Sequence, residues 1–238
     1  MNNPQIRQSC LSAFILVALL SASVVAAPQD DIFGRSSDKK TESTKTEAAT
    51  ETPAQTPAAS SVQKESTAEV SEQSDGWFTV VDAVSNTEFR LPAKPKYIER
   101  SWTPIAGRSA VTNHRYVGYP DKESSFEFSW MNLHEAPENG RQLSDALNGA
   151  VKGAVVNVLG QLDRVDKINS GRTQGREFDY TFTVTNPKSK KEFTFSGRSR
   201  VFIKGSRRYQ LDVITVQGKE DKVATKKLFD SLTINTEE

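Results

Sequence analysis

The groups in this 238-residue chain that could do chemistry are few: two histidines, one cysteine, and carboxylates spread along the sequence. His114 and His134 are too far apart, and too far from Cys10, to form a metal-ligand spacing, so each reads as a lone surface histidine. Ser109 and Ser199 both follow Gly-Arg, but neither completes the Gly-x-Ser-x-Gly of a nucleophile elbow. The segment Gly171-Arg-Thr-Gln-Gly175 lacks the Lys-Ser/Thr of a phosphate loop and the third glycine of a dinucleotide fingerprint, and reads as a turn. Glu177 and Asp179 are the best acid pair for a hydrolase. Arginines expected across the sheet from them favour a structural ion-pair ladder instead. The expectation is therefore a chain with no catalytic, cofactor or metal site.

What remains is a basic cluster, Arg198, Arg200, Lys204, Arg207 and Arg208, with Phe202 interleaved. Arg198 and Arg200 are expected to be neutralised by the ladder. That leaves Lys204, Arg207 and Arg208, around a Gly205-Ser206 turn and beside Phe202, as the candidate site for an anionic protein, glycan or membrane surface. The alternative is a solvated hairpin tip whose charges discourage edge pairing. If the tip binds nothing, the next surface to consider carries Trp102, His114 and Tyr116. From Gly76 onward there are 25 bases against 20 acids, a mild excess that does not suggest a dedicated nucleic-acid binder.

The elements that must position these residues are legible in part. Trp77–Val81 and Thr87–Leu91 read as strands, and Phe126, Phe128 and Trp130 alternate with polar residues as a half-buried strand does. An apolar stripe from Leu143 through Leu147, Val151 and Val155 to Val158 predicts an amphipathic helix from near Asn139 to Gly160. A second helix is expected over Asp221–Leu232, with Val223, Ala224, Leu228, Phe229 and Leu232 facing inward. Between Arg176 and Gln217, three strands pair if Val184 opposes Phe193, which sets Asp179 against Arg198 and Glu177 against Arg200. A following hairpin with a three-residue turn would set Ile203 against Tyr209, Val201 against Leu211 and Arg200 against Asp212. The result is one apolar face and one face of alternating charges centred on Arg200.

Upstream, Arg7, the apolar Leu11–Ala26 run and Val25-Ala26-Ala27 form a signal-peptide pattern, with cleavage expected after Ala27. An uncleaved membrane anchor is the alternative. Cleavage removes Cys10, leaving no thiol or disulfide. Residues 28–75 hold ten acids against five bases in a Thr/Ser/Ala/Glu/Pro-rich stretch, expected to be a disordered linker. The reading is thus a signal peptide over 1–27, a linker over 28–75, and one α+β domain over 76–238, exported to a periplasmic or extracellular space.

Several of these residues resemble a known group. Trp77 near the domain start, Phe89-Arg-Leu-Pro with Pro95, Arg208-Tyr-Gln-Leu-Asp-Val and Lys227-Leu-Phe-Asp-Ser-Leu-Thr-Ile are similar to patterns of the Mog1/PsbP-like family. The resemblance implies an antiparallel β-sheet flanked by helices on both faces, an α/β/α sandwich, and a non-enzymatic binding or assembly role. No functional residue of that family matches a position here. The function expected is an exported binding or assembly module of unknown ligand; the alternative is an extracytoplasmic enzyme of unfamiliar type using surface carboxylates.

Overall fold

The structure, a computed structural model, describes residues 60–62, 67–102, 110–187 and 189–235. The expected signal segment and the linker up to residue 59 lie outside the described residues. Within them the chain forms twelve strands and two helices. The strands are β1 (Ser60–Val62), β2 (Glu69–Glu72), β3 (Phe78–Asp82), β4 (Thr87–Leu91), β5 (Lys96–Trp102), β6 (Val111–Gly118), β7 (Ser124–Asn132), β8 (Gln161–Ser170), β9 (Thr173–Thr185), β10 (Glu192–Lys204), β11 (Arg207–Val216) and β12 (Thr233–Ile234). The helices are α1 (Gly140–Asn157), between β7 and β8, and α2 (Lys222–Ser231), between β11 and β12.

The expected α/β/α sandwich is not what forms. The protein is mostly β, with an eight-stranded antiparallel sheet in the order β1-β5-β6-β7-β11-β10-β9-β8 and a four-stranded sheet in the order β12-β4-β3-β2. Helix α1 covers one face of the large sheet, where Leu147, Val151 and Val155 pack on Phe178, Tyr180, Phe195 and Val201. The other face is covered chiefly by the second sheet, with α2 beside it: Val80, Phe89, Leu91, Leu228 and Phe229 enclose Phe128, Trp130, Tyr209 and Leu211. The strands that the hydrophobic pattern does not show make the difference. β5 is mostly half-buried, and β8 is exposed over most of its length, so neither carries a period-two apolar signal.

Two short strands also fall inside the stretch read as linker. β1 pairs with β5, and β2 pairs with β3 although all four of its residues are exposed. Edge strands are held by backbone hydrogen bonds and need no apolar side chains, so composition does not reveal them. Asp75 is anchored as well, accepting from Lys227 Nζ at 2.6 Å, from Arg90 at 2.9 Å and from the Trp77 amide at 3.1 Å.

Both helices start where their caps dictate. Asn139 accepts from the amides of Arg141 and Gln142, and Asp221 from those of Val223 and Ala224. Val223, expected inward, is 79% exposed because it falls in the first turn of α2, on the outer side.

The β9–β10 register is the expected one: Val184 opposes Phe193, Asp179 opposes Arg198 and Glu177 opposes Arg200. The β10–β11 register differs by one residue. Its turn has two residues, Gly205-Ser206, with Lys204 opposite Arg207, and Gly205 adopts φ 57° as the first central residue of such a turn requires. A one-residue shift moves every side chain of a strand to the other face. Tyr209, Leu211 and Val213 therefore share a face with Phe202 and Arg200, whereas Asp212 turns to the α1 side opposite Ser199.

Candidate binding surface

The ladder is built where β8, β9 and β10 lie side by side, on the same face as α2. Glu177 is nearly buried and accepts from three arginines: Arg164 Nη2 at 3.1 Å, Arg200 Nε at 2.6 Å, and Arg198 Nη2. Burial pushes the Glu177 carboxyl up, but the hydrogen bonds from Arg198 and Arg200 outweigh it and hold the group below the usual glutamate range. Asp179 accepts from Arg164 Nε at 2.9 Å and lies 3.4 Å from Arg198 Nε. Arg164 also reaches Asp166 at 2.6 Å. At the inner end, the Arg200 guanidinium lies 4.7 Å from the centre of the Phe229 ring and 3.9 Å from Asp230. Asp230, not the expected Asp212, is the second acid near Arg200.

Beside this ladder, at the start of α2, is a shallow cleft of about 210 Å³ lined by Asp163, Asp179, Arg198, Glu220 and Lys222 among others. Its charged groups are mixed in sign. Glu220 is held below its ordinary range by backbone amides, the Gly218 N–H among them at 2.9 Å. Arg164 and Arg198 keep 44% and 42% of their side-chain surface in solvent, so an approaching anion could reach them without displacing the core.

The hairpin-tip residues do not come together as a site. Phe202 is 3% exposed, in the core under the small sheet and α2, so it cannot be the surface aromatic expected. Lys204 Nζ donates to the carbonyls of Asn235 at 2.8 Å and Ile234 at 3.4 Å, closing the last strand onto the sheet. Arg207 donates to Asn132 Oδ1 at 3.2 Å and lies 5.1 Å above the Trp130 ring. Arg208 points to the opposite face, where burial pushes its guanidinium down. The same alternation that places Phe202 inside separates Arg207 from Arg208.

The alternative surface also divides. His114 and Tyr116 share a face, but Trp102 pairs with Val111 on the other. His114 is not a surface histidine: its ring stacks on Trp130 at 3.9 Å, and its Nδ1 lies 2.7 Å from Tyr97 Oη, which donates to Glu99 at 2.8 Å. Trp130 Nε1 and Tyr116 Oη both donate to Asp82 Oδ2, at 2.8 and 3.1 Å. Asp82 also caps its own turn through the Val84 amide at 2.9 Å. These bonds pin the β3–β4 turn of the small sheet to the large one. His134 is exposed, as expected.

On the α1 face lies a polar group that the slipped register concealed. Arg115 and Glu127 form a buried two-pronged pair at 2.6 and 2.5 Å. Asp212 accepts from Ser199 Oγ and from Gln210 Nε2 at 2.9 Å. Burial, then the Glu127 charge, push Asp212 up to about 6. The missing signal was the turn length: a two-residue Gly-Ser loop would have placed Asp212 here. Arg164 and Asp166, likewise missed, were signalled by alternating charges in Asp163-Arg-Val-Asp-Lys167.

Among the described residues no group of three or more His, Cys, Asp or Glu is arranged to hold a metal, and no helix is long and apolar enough to cross a membrane. No family model matches the chain, and no curated protein matches it. A crystal structure from Bacteroides thetaiotaomicron VPI-5482 at 1.50 Å resolution is similar over 67% of this chain, with 9% sequence identity and a TM-score of 0.40. The chain spans about half of that protein, covering 48% of it.

Proposed function

We propose that the domain is a non-enzymatic binding or assembly module, exported on an N-terminal signal and tethered by the segment upstream of Ser60, and that its contact surface is the ladder face with the adjoining cleft. The observation that supports this reading is the state of Glu177 and Asp179. An acid or base must exchange its proton with a substrate, whereas Glu177 is fixed by three arginines and Asp179 by two. The half-exposed Arg164 and Arg198 suit an anionic partner, such as an acidic protein or a charged glycan, approached through a surface that needs no deep pocket.

The test removes charge from the exposed rim of the ladder and from the cleft, leaving Arg164 and Arg200 on Glu177. Arg198→Ser with Lys222→Ser should abolish salt-sensitive capture of partners from the exported fraction while Tm shifts by only a few degrees. Capture that is unchanged in this variant, with the same salt response, would overturn the reading. The enzyme alternative makes a different forecast: Glu177→Gln with Asp179→Asn would keep binding and lose turnover.

A further inference from the structure

We infer that β8 is a self-association edge and that the partner it fits is a second copy of this chain, joined antiparallel about Val165. This goes beyond the ladder reading and does not depend on it. β8 is the last strand of the large sheet, and no strand pairs with its outer side among the described residues. It is ten residues long, exposed over its first seven, and leaves Leu162 and Val165 41% and 46% in solvent. Such an edge is a template for another strand unless its side chains forbid one.

The side chains of β8 select their own complement. In an antiparallel pair centred on Val165, Arg164 faces the partner's Asp166, Asp166 faces the partner's Arg164, and the two valines meet on the α1 side. Sliding by two residues brings Asp166 onto Asp166 in one direction and Arg164 onto Arg164 in the other. Parallel in-register pairing sets every charge against its like. Odd slides put each side chain against the wrong face. One register alone is attractive throughout, and the charges that would repel a foreign strand are the ones that admit a copy.

Past Arg164 the β8–β9 register shifts at a bulge, which adds Asp163. Counting that extra residue, Leu162 comes opposite the partner's Lys167, whose aliphatic stem can cover it. Helix α1 adds further apolar surface next to the strand. Val156 is 56% exposed and Leu159 92%, and Leu159 adopts φ 53° at the helix stop, where glycine is usual, with its side chain in solvent. The stop itself is well made, with Leu159 N–H donating to Val156 O and Gly160 N–H to Val155 O, both at 2.9 Å. A two-fold axis normal to the sheet puts both copies of α1 on the same side as the paired valines.

Sedimentation of the purified full chain tests this through charge complementation. Wild type should show a concentration-dependent dimer. Arg164→Glu and Asp166→Arg should each weaken it at least about tenfold, the equivalent of 1.4 kcal/mol. An equimolar mixture of the two variants should recover dimer. The acid introduced by Arg164→Glu in one copy then faces the base introduced by Asp166→Arg in the other, and the unaltered Asp166 of the first faces the unaltered Arg164 of the second. Within either chain the mixture changes nothing, so recovery reports the contact between copies and not the ladder. Val165→Lys, which leaves the ladder intact, should weaken association as much. A wild type that stays monomeric to about 1 mM, or single variants that dimerise as well as wild type, or a mixture without recovery, would overturn the inference.

Discussion

Asp212 faces Ser199 across the β10–β11 ladder, on the side of the sheet away from Arg200, and accepts its hydroxyl proton there. The carboxylate is thereby placed near Glu127 and buried on the α1 side of the sheet, in a setting where its charge is costly despite hydrogen bonds from Ser199 and Gln210 and the nearby Arg115. A pH dependence of stability follows from this placement.

With its pKa raised to about 6, Asp212 holds its proton more tightly in the folded state than in the unfolded chain, where about 3.9 is usual. The native state binds more protons between those values, so stability falls as pH rises through that window and is level above it. Two units correspond to on the order of 3 kcal/mol. Asp212→Asn should remove this dependence, gaining stability relative to wild type at pH 7 and little at pH 4. The check is urea unfolding of both proteins across pH 4 to 8. A wild-type minus variant difference that does not change with pH would refute the placement.

Glu177 should behave with the opposite sign. Its folded pKa is depressed, so its stabilisation is complete above the unfolded value of about 4.3 and is lost as pH falls through the depressed one. Glu177→Gln should cost about 2 kcal/mol at pH 7, in the range of hydrogen bonds to charged groups, and the cost should shrink in acid. Arg200→Glu combined with Glu177→Lys should recover only part of the loss from Arg200→Glu alone, because the introduced lysine would then meet Arg164 and Arg198. Full recovery would show that Glu177 serves Arg200 only.

The sequence made the β9–β10 pairing legible because opposite charges and phenylalanines agreed on one register there, and both helices because their caps and stripes were intact. The β10–β11 pairing was less constrained. Tyr209 finds an apolar partner in either register, Ile203 in the expected one and Phe202 in the observed one, so the turn decides, and the two-residue Gly205-Ser206 turn sets the pairing. Strand β6 was hidden for a different reason: Arg115 is buried in a salt bridge and His114 is half-buried in a ring stack, so their hydropathy argued against burial. For the candidate site, the ladder's β9 and β10 members are legible from charge and phenylalanine pairing, whereas its β8 members are signalled only by the charges of Asp163-Arg-Val-Asp-Lys167, since an exposed edge strand has no apolar face to read.

The Arg115–Glu127 pair gives a third test. Both side chains are nearly buried; burial pulls the Arg115 pKa down, but the charge and hydrogen bond of Glu127, with the charge of Asp212, together outweigh it and hold the guanidinium above its ordinary range. Removing one partner leaves a buried charge uncompensated, so Arg115→Met should destabilise by about 3–5 kcal/mol. Arg115→Met with Glu127→Leu should lie much closer to wild type. Equal losses in the single and double variants, measured by denaturant midpoint, would mean that the charge of Glu127 is compensated elsewhere.

Two glycines separate packing from propensity in a last comparison. At Gly197 an added Cβ would overlap Tyr180 Cζ, because the Tyr180 ring lies directly over the glycine across the β9–β10 pair. Tyr180 is itself buried under α1 and cannot swing outward, so the strand or the ring must move. Gly197→Ala should therefore cost about 1–3 kcal/mol, the usual range for overpacking a core. Gly149 lies on the exposed side of α1, where an added Cβ meets nothing within 4 Å. Alanine there only removes unfolded-state freedom and should stabilise by about 0.5–1 kcal/mol. Thermal unfolding of the two variants under one buffer decides the matter: the Tm values should move in opposite directions. A Gly197→Ala protein as stable as wild type would mean that the Tyr180 ring does not rest on this strand.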